Sequence, residues 1–207
     1  MSVSIAGIHT GIGKTICSAI ICQALGYDYF KPIQAGDLDN SDSICVRNLI
    51  NNPLCVIHPE IYKLKTAASP HYAAKLDGVE IIKNTIFLPP TPNNIVVETA
   101  GGIMSPLANN FLNIDLIAHL NLPTVLVSNN YLGSINHTLM SYEILRSKNL
   151  KIVGIVFNGE ANKASESYIL QYTQLPVLFT IPQFEKMNAK IINEFAKSIS
   201  IDFLENE

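Results

Sequence analysis

Residues 7–15, GIHTGIGKT, constrain this chain more than any other stretch. The apolar run VSIA at 3–6 leads into them and the helix-like ICSAIICQALG follows, so a buried strand delivers the backbone to a glycine turn that opens a helix. In such a turn backbone N–H groups face a polyphosphate, and the helix adds its positive N-terminal dipole. Lys14 supplies mobile charge. Thr15 is the first residue able to put a hydroxyl on a magnesium ion beside the phosphates. Five residues, not the usual four, separate Gly7 from Gly13-Lys14. The plain alternative is a strand-to-helix turn with a solvated lysine. Strand, loop, Gly-Lys-Thr and helix nevertheless stand in the order that phosphate binding needs.

Further polar candidates recur where strands end. The aromatic run YDYF stops at Lys31-Pro32, since proline cannot donate to a ladder. Ligands of open parallel sheets collect at the carboxyl ends of strands, which puts Lys31 and Lys14 over one crevice; an ordinary surface lysine is the other reading. Asn40-Ser41-Asp42 precedes an apolar-periodic run, as at a helix N-terminus. Asp42 is then either a first-turn acid or an oxygen ligand for magnesium. A strand at 94–98 ends in Glu98 and runs into Thr99-Ala100-Gly101-Gly102. An acid buried there without a partner is costly, so Glu98 meets a cation, donors or water, and magnesium is the natural candidate. Gly101-Gly102 either lets the backbone approach a ligand or makes a plain turn.

The later segments follow the same plan. Ser69-Pro70-His71 starts a helix with proline at an early position, and the prolines at 89, 90 and 92 form a rigid surface connection. A buried strand at 123–128 leads through Leu132-Gly133-Ser134 to the helix INHTLMSYEILRSK. Its polar first turn, with Ser134 and Asn136, either holds an anion or is merely capped by its own side chains. A strand at 151–157 ends at Asn158-Gly159, a short run at 176–181 ends at Pro182, and a closing helix spans roughly 188–204.

Strands alternating with helices specify an α/β chain, a doubly wound and mainly parallel sheet with helices on both faces. A length of 207 residues suits a single domain over 1–207. Apolar residues at 48% against 15% charged imply much buried surface, enough to serve a subunit interface as well as a core. With 14 Lys+Arg and 17 Asp+Glu the net charge is −3, which offers no broad basic surface for nucleic acid or an anionic membrane. The four cysteines form no Cys-x-x-Cys pair and read as reduced thiols. Neither a leader nor a run of about 18 apolar residues is present, so the expected location is cytoplasmic.

Taken together, GIHTGIGKT, FKPIQAG, NSD at 40–42, SPH at 69–71, VETAGG with Pro106-Leu107, LGSINH at 132–137 and Val156-Phe157-Asn158 resemble the dethiobiotin synthetases, a P-loop NTPase-like family. The resemblance runs from Gly7 to about Pro182. It implies a homodimer, with its active site at the interface, that closes a ureido ring on 7,8-diaminononanoate using CO2, ATP and Mg2+. A substrate amine captures carbon dioxide as a carbamate, a carbamate oxygen attacks the γ-phosphorus, and the second amine displaces phosphate to close the ring. Such chemistry asks the protein to position and neutralise anions.

By the same resemblance Lys14 and Lys31 are catalytic, holding the carbamate and the transferring phosphoryl group. Thr15, Asp42 and Glu98 arrange magnesium. Gly11, Ile12, Gly13, Ile16, Thr99, Ala100 and Gly101 contact the nucleotide, while Asn158 and Pro182 hold its base. Thr10, Ala35 and Gly102 line the substrate, and Leu132, Gly133, Ser134 and Asn136 take its carboxylate tail across the dimer. Three positions depart from the family pattern. Gly11 stands where the loop often carries an acid, Ala35 where Lys-Pro-Val-x-Ser-Gly has serine, and Gly159 where Asn158 is usually followed by aspartate.

Three other functions compete, and against one of them, a non-catalytic nucleotide-binding module, stands the retention of both lysines and both acids. A dimerising partitioning-type ATPase carries an extra lysine early in the loop, where this chain has Ile8 and His9. Another P-loop ligase or amidotransferase keeps the magnesium acids but lacks the LGSINH arrangement.

Overall fold

The strand feeding the glycine-rich loop, β1 (Val3–Gly7), is buried along its whole length. In the computed structural model, which describes residues 1–200, the chain continues through α1 (Lys14–Leu25), β2 (Asp28–Phe30), β3 (Ile33–Ala35), α2 (Asp42–Leu49), β4 (Tyr62–Leu64), α3 (Pro70–Asp77) and β5 (Ile95–Gly102). Then follow β6 (Pro106–Ala108), β7 (Phe111–Leu112), α4 (Asn113–Leu120), β8 (Thr124–Asn129), α5 (Ser134–Ser147), β9 (Ile152–Asn158), α6 (Lys163–Thr173), β10 (Val177–Ile181) and α7 (Ala189–Ser198). The main sheet has the order β10-β9-β8-β1-β5-β2. Every neighbouring pair in it is parallel. Its six strands are the six apolar runs of the sequence, as expected where strands are covered on both faces.

Direction of travel sets the layers. From β1 to β2 the chain moves one way along the sheet, and from β8 through β9 to β10 it moves the other. Right-handed crossovers therefore put α1 and the α5–α6 pair on opposite faces. Accordingly α1 packs with α2 and α7, and α5 packs with α6. Because β5 and β8 flank β1 on either side, the crevice beyond their carboxyl ends is the place where the winding reverses and where ligands bind in such sheets.

α1 suits its central place by being buried from Cys17 through Gln23, since a helix apolar on nearly every side belongs inside. Gly26, at φ 68, ends it with an N–H to Cys22 O. The four cysteines are free thiols, and burial holds the Cys17 and Cys22 thiols well above their ordinary value. At the far end of β2, Asp28 is wholly buried. It accepts from Thr91 Oγ1 at 2.6 Å, Val56 N at 2.9 Å and Asn93 Nδ2 at 3.0 Å, and it pairs with His58 Nε2 at 2.8 Å. This carboxylate thus ties the proline-rich connection to the sheet. No helix among the described residues is long and apolar enough to cross a membrane.

The structure differs from the sequence reading in three places. β5 does not stop at Glu98 but runs on to Gly102, so Gly101-Gly102 is strand, not a free turn. Asn113 Nδ2 holds it there by donating to Ala100 O at 2.6 Å and Gly102 O at 2.8 Å. α4 and α6 were not legible: α4 follows a minimal β6–β7 hairpin, and α6 buries only Ile169 and Thr173. Finally, the closing helix begins with Asn188 Oδ1 capping Ile191 N at 3.0 Å and ends at Ser198; its expected last turn at 201–204 lies outside the described residues.

Candidate active site

The loop leaves β1 and arches back over it. Gly11 (φ 74) and Gly13 (φ 96) are left-handed, a conformation that side chains resist. A Cβ on Gly13 would stand 2.3 Å from Asn158 Nδ2, so its neighbour also requires glycine. Gly13 is the N-cap of α1 and no side chain caps the helix, which leaves first-turn N–H groups for an outside acceptor. Lys14 folds over the loop and donates from Nζ to His9 O at 3.1 Å. It is buried, and burial brings its ammonium down to about 8, opposed by Glu98, reinforced by Lys31 and opposed again by Asp42.

Around it three further segments converge, the end of β2, the start of α2 and the middle of β5. Lys31, just past β2, is not a surface lysine: it is 4% exposed. Its Nζ pairs with Glu98 Oε1 at 3.2 Å and with Asp42 Oδ2. Burial alone would lower the Lys31 ammonium, but the Glu98 and Asp42 carboxylates hold it above its ordinary value. Asp42 is a first-turn acid that also projects toward the loop. Ser41 is the helix N-cap, accepting from Ile44 N, and Asp42 is the first-turn acid of α2, yet its carboxylate turns to Lys31 and to Thr15 Oγ1 at 2.9 Å. Burial pushes Asp42 up, while Lys31, Thr15 and Lys14 outweigh that and leave it below its ordinary value.

Glu98 is 1% exposed and is met by four groups. Ser18 Oγ and Tyr29 Oη, each at 3.0 Å, take Oε2. Thr15 Oγ1 at 2.9 Å and Lys31 share Oε1. One oxygen is thereby pinned inward by neutral donors while the other faces the crevice. Ser18 and Tyr29 were missed in the sequence because a serine inside α1 and a tyrosine inside β2 look like ordinary packing; only the spacing Thr15–Ser18, one helical turn, hinted at a shared face.

The donor set fits magnesium. Thr15 has one hydroxyl proton but lies 2.9 Å from a carboxylate oxygen of both Asp42 and Glu98, so one of those contacts is left without a hydrogen. Hard oxygens from three separated segments suit this ion, which keeps several waters and phosphate oxygens of its own. Among the described residues no group of three or more His, Cys, Asp or Glu is placed to hold a metal ion. Two lysines and two carboxylates also cancel in charge, so a polyphosphate entering here needs a further cation.

Beside this cluster lies a cavity of about 410 Å³ lined by Thr10, Lys31, Ala35, Asp42, Ala100 and Gly101. Gln34 and Ser105 also line it, and neither was anticipated. Ser105 Oγ accepts from Gly102 N at 3.0 Å and so braces the end of β5. Thr99 stands apart: its hydroxyl donates to Ile5 O at 3.1 Å within the sheet. On the other side of Thr10 an apolar groove of about 870 Å³ runs between the 102–106 segment and α5, with Met104 and Met140 exposed along it.

Leu132, Gly133 and Asn136 line a separate cavity of about 750 Å³ at the start of α5, away from the one that Lys31 lines. Leu132 is fully exposed and Ser134 is buried. Gly133 is the α5 N-cap, with no side-chain cap hydrogen bond. Tyr131 O takes the Ser134 N–H at 2.9 Å, so any donors left for an outside acceptor lie beyond Ser134 in the first turn. Elsewhere along the same edge of the sheet, Asn158 ends β9 and Pro182 follows β10, exposed. Gly159, at φ 91, donates its N–H to Ile181 O at 2.8 Å.

Comparison with known proteins gives the family and the fold. The family described as "AAA domain" matches residues 2–190. The ATP-dependent dethiobiotin synthetase of Cytophaga hutchinsonii is 45% identical over 93% of this chain and 93% of its own length. That of Chlamydia pneumoniae is 43% identical over 93% of this chain and 86% of its own. Among solved structures, the septum site-determining protein MinD of Pyrococcus horikoshii, complexed with Mg-ADP, superposes with a TM-score of 0.57 at 14% identity, covering 100% of this chain and 98% of that one. A ParA family ATPase from Chlorobium tepidum gives 0.55 at 12%, covering 95% and 98%. These last two likenesses concern the fold alone.

Proposed function

This chain belongs to the dethiobiotin synthetase family, and from that premise we propose how its residues divide the work of an ATP-dependent cyclo-ligase acting on 7,8-diaminononanoate and carbon dioxide. The observation that carries the reading is Lys31, buried between Glu98 and Asp42 on the wall of a cavity that also exposes Thr10 and Gly101. A cation so held is ready to meet an anion that forms only once substrate and carbon dioxide have combined. Preorganised charge of this kind lowers a barrier because it needs no rearrangement at the moment of reaction.

In this scheme bound Mg-ATP supplies an electrophilic γ-phosphorus with its charge partly neutralised. Lys14 and the loop amides of residues 11–16 orient the phosphates. Lys31 faces the carbamate oxygen. Thr15, Asp42 and Glu98 hold the metal, with Ser18 and Tyr29 fixing the Glu98 carboxylate. Thr10, Ala35 and the Ala100–Gly102 strand end confine the diamine. Asn158 and Pro182 flank the base.

A second copy of the chain completes the site. Residues 132–136 lie in a different cavity from Lys31, so within one chain they do not reach the same substrate; the uncapped start of α5 suits the carboxylate tail of a substrate held by the partner. The apolar groove flanked by Met104 and Met140 favours such pairing. We place the enzyme in the cytoplasm. The partitioning-type switch shares the fold, but its extra loop lysine is absent at Ile8 and His9.

The deciding experiment is product formation from diaminononanoate, bicarbonate and ATP, followed by mass spectrometry. Dethiobiotin with stoichiometric ADP is the expected result. ATP hydrolysis indifferent to the diamine would reject the reading.

A further inference from the structure

Residues 11–13 begin and end on a left-handed glycine, the backbone least able to hold one shape by itself. Among the described residues, a single side-chain hydrogen bond reaches this stretch from another element: Asn158 Nδ2, at the end of β9, donates to Ile12 O at 3.0 Å. Its amide also packs under Gly13, at the place a Cβ would fill. The sheet fixes Asn158 in turn, since β9 pairs with β8 at Asn129 and with β10 at Ile181.

We infer that Asn158 is a positioning residue for the phosphate loop, so that the group flanking the base also sets the shape of the phosphate cradle. A primary amide has two N–H bonds and one acceptor oxygen. One N–H is spent on Ile12 O. The other, with Oδ1, remains as the donor–acceptor pair that an adenine edge takes. Base and loop therefore meet on one rigid plane, and ordering that plane from either side orders it for the other.

This inference rests on reading residues 7–15 as a phosphate loop. The test uses a ligand with no base. Magnesium tripolyphosphate and Mg-ATP are titrated by calorimetry into the full chain, as wild type, Asn158→Ala and Asn158→Asp. Removing one hydrogen bond from the loop should weaken tripolyphosphate about five- to tenfold in Asn158→Ala, and ATP by more, with the melting temperature within a few degrees of wild type. Asn158→Asp keeps the packing and loses the donor, so it decides the matter if the alanine variant folds poorly; its loss should persist at high salt, where the added charge is screened. Wild-type tripolyphosphate affinity in these variants, alongside weakened ATP, would make Asn158 a base contact only and overturn the inference. A wild type that binds ATP but not tripolyphosphate would instead remove the phosphate-loop reading, and the inference with it.

Discussion

Lys31 Nζ lies 3.2 Å from Glu98 Oε1, across 67 residues of sequence and with both side chains almost fully buried. A buried ammonium survives only where carboxylates repay its desolvation, so this pair reports that the crevice is built around charge. If Lys31 meets the reacting anion, Lys31→Ala should lower turnover at saturating substrate by roughly two to three orders of magnitude, as loss of a preorganised charge does. Steady-state kinetics with a circular-dichroism melt to confirm folding checks this, and near-normal turnover refutes it.

The magnesium assignment makes a graded prediction. Asp42→Asn and Glu98→Gln should each move the Mg2+ dependence to higher concentration, and Mn2+ bound to the enzyme–nucleotide complex should show altered paramagnetic resonance. Tyr29→Phe, which frees Glu98 Oε2 of one donor, should shift it less, about fivefold for one hydrogen bond. Titrations that coincide with wild type in both acid variants would dismiss these ligands.

Subunit sharing is tested by mixing. In a two-fold dimer with shared sites, Lys14→Ala and Asn136→Ala are each inactive, yet every mixed dimer holds one intact site, so an equimolar mixture that pairs at random should recover about a quarter of wild-type activity. A fully active monomer in sedimentation equilibrium would end the idea.

Asp28 predicts an acid limb in stability. Burial would raise its pKa, but hydrogen bonds from Asn93, Thr91, the Val56 amide and His58 leave it lower than usual. The folded state therefore binds its proton less readily than the unfolded chain. That contribution is whole above the ordinary carboxylate pKa of about 4 and disappears as pH falls through the lower folded value. Asp28→Asn should cost about 1–3 kcal/mol at neutral pH by breaking the network, and should flatten the loss of stability on acidification measured by urea unfolding. An unchanged acid slope would place the titrating group elsewhere.

Nucleotide choice should be loose. Asn158 offers one donor and one acceptor to a base, and Gly159 adds no side chain where the family has an acid. A preference for ATP over GTP or CTP of about tenfold is expected, the worth of one net hydrogen bond. Discrimination beyond about a thousandfold in kcat/KM would mean that other groups, such as those around Pro182, read the base.

By itself the sequence determined the parts whose physics is local. Apolar runs set the six strands of the sheet, glycines and Gly-Lys-Thr set the loop, and the alternation of strand and helix set the winding. Lys14, Thr15, Lys31 and Asp42 were legible because each follows a strand end or opens a helix, where a parallel sheet exposes its ligands, and Glu98 because an acid inside an apolar strand needs a partner. Tertiary structure alone decided which of them touch. That Asp42 turns its carboxylate to Lys31 while Ser41 does the capping, that Ser18 and Tyr29 pin Glu98, and that Asn158 holds Ile12 are facts about side chains brought together from distant segments. No periodicity records them, because a hydrogen bond over 146 residues depends on sheet order and register, and these follow from how the whole core packs.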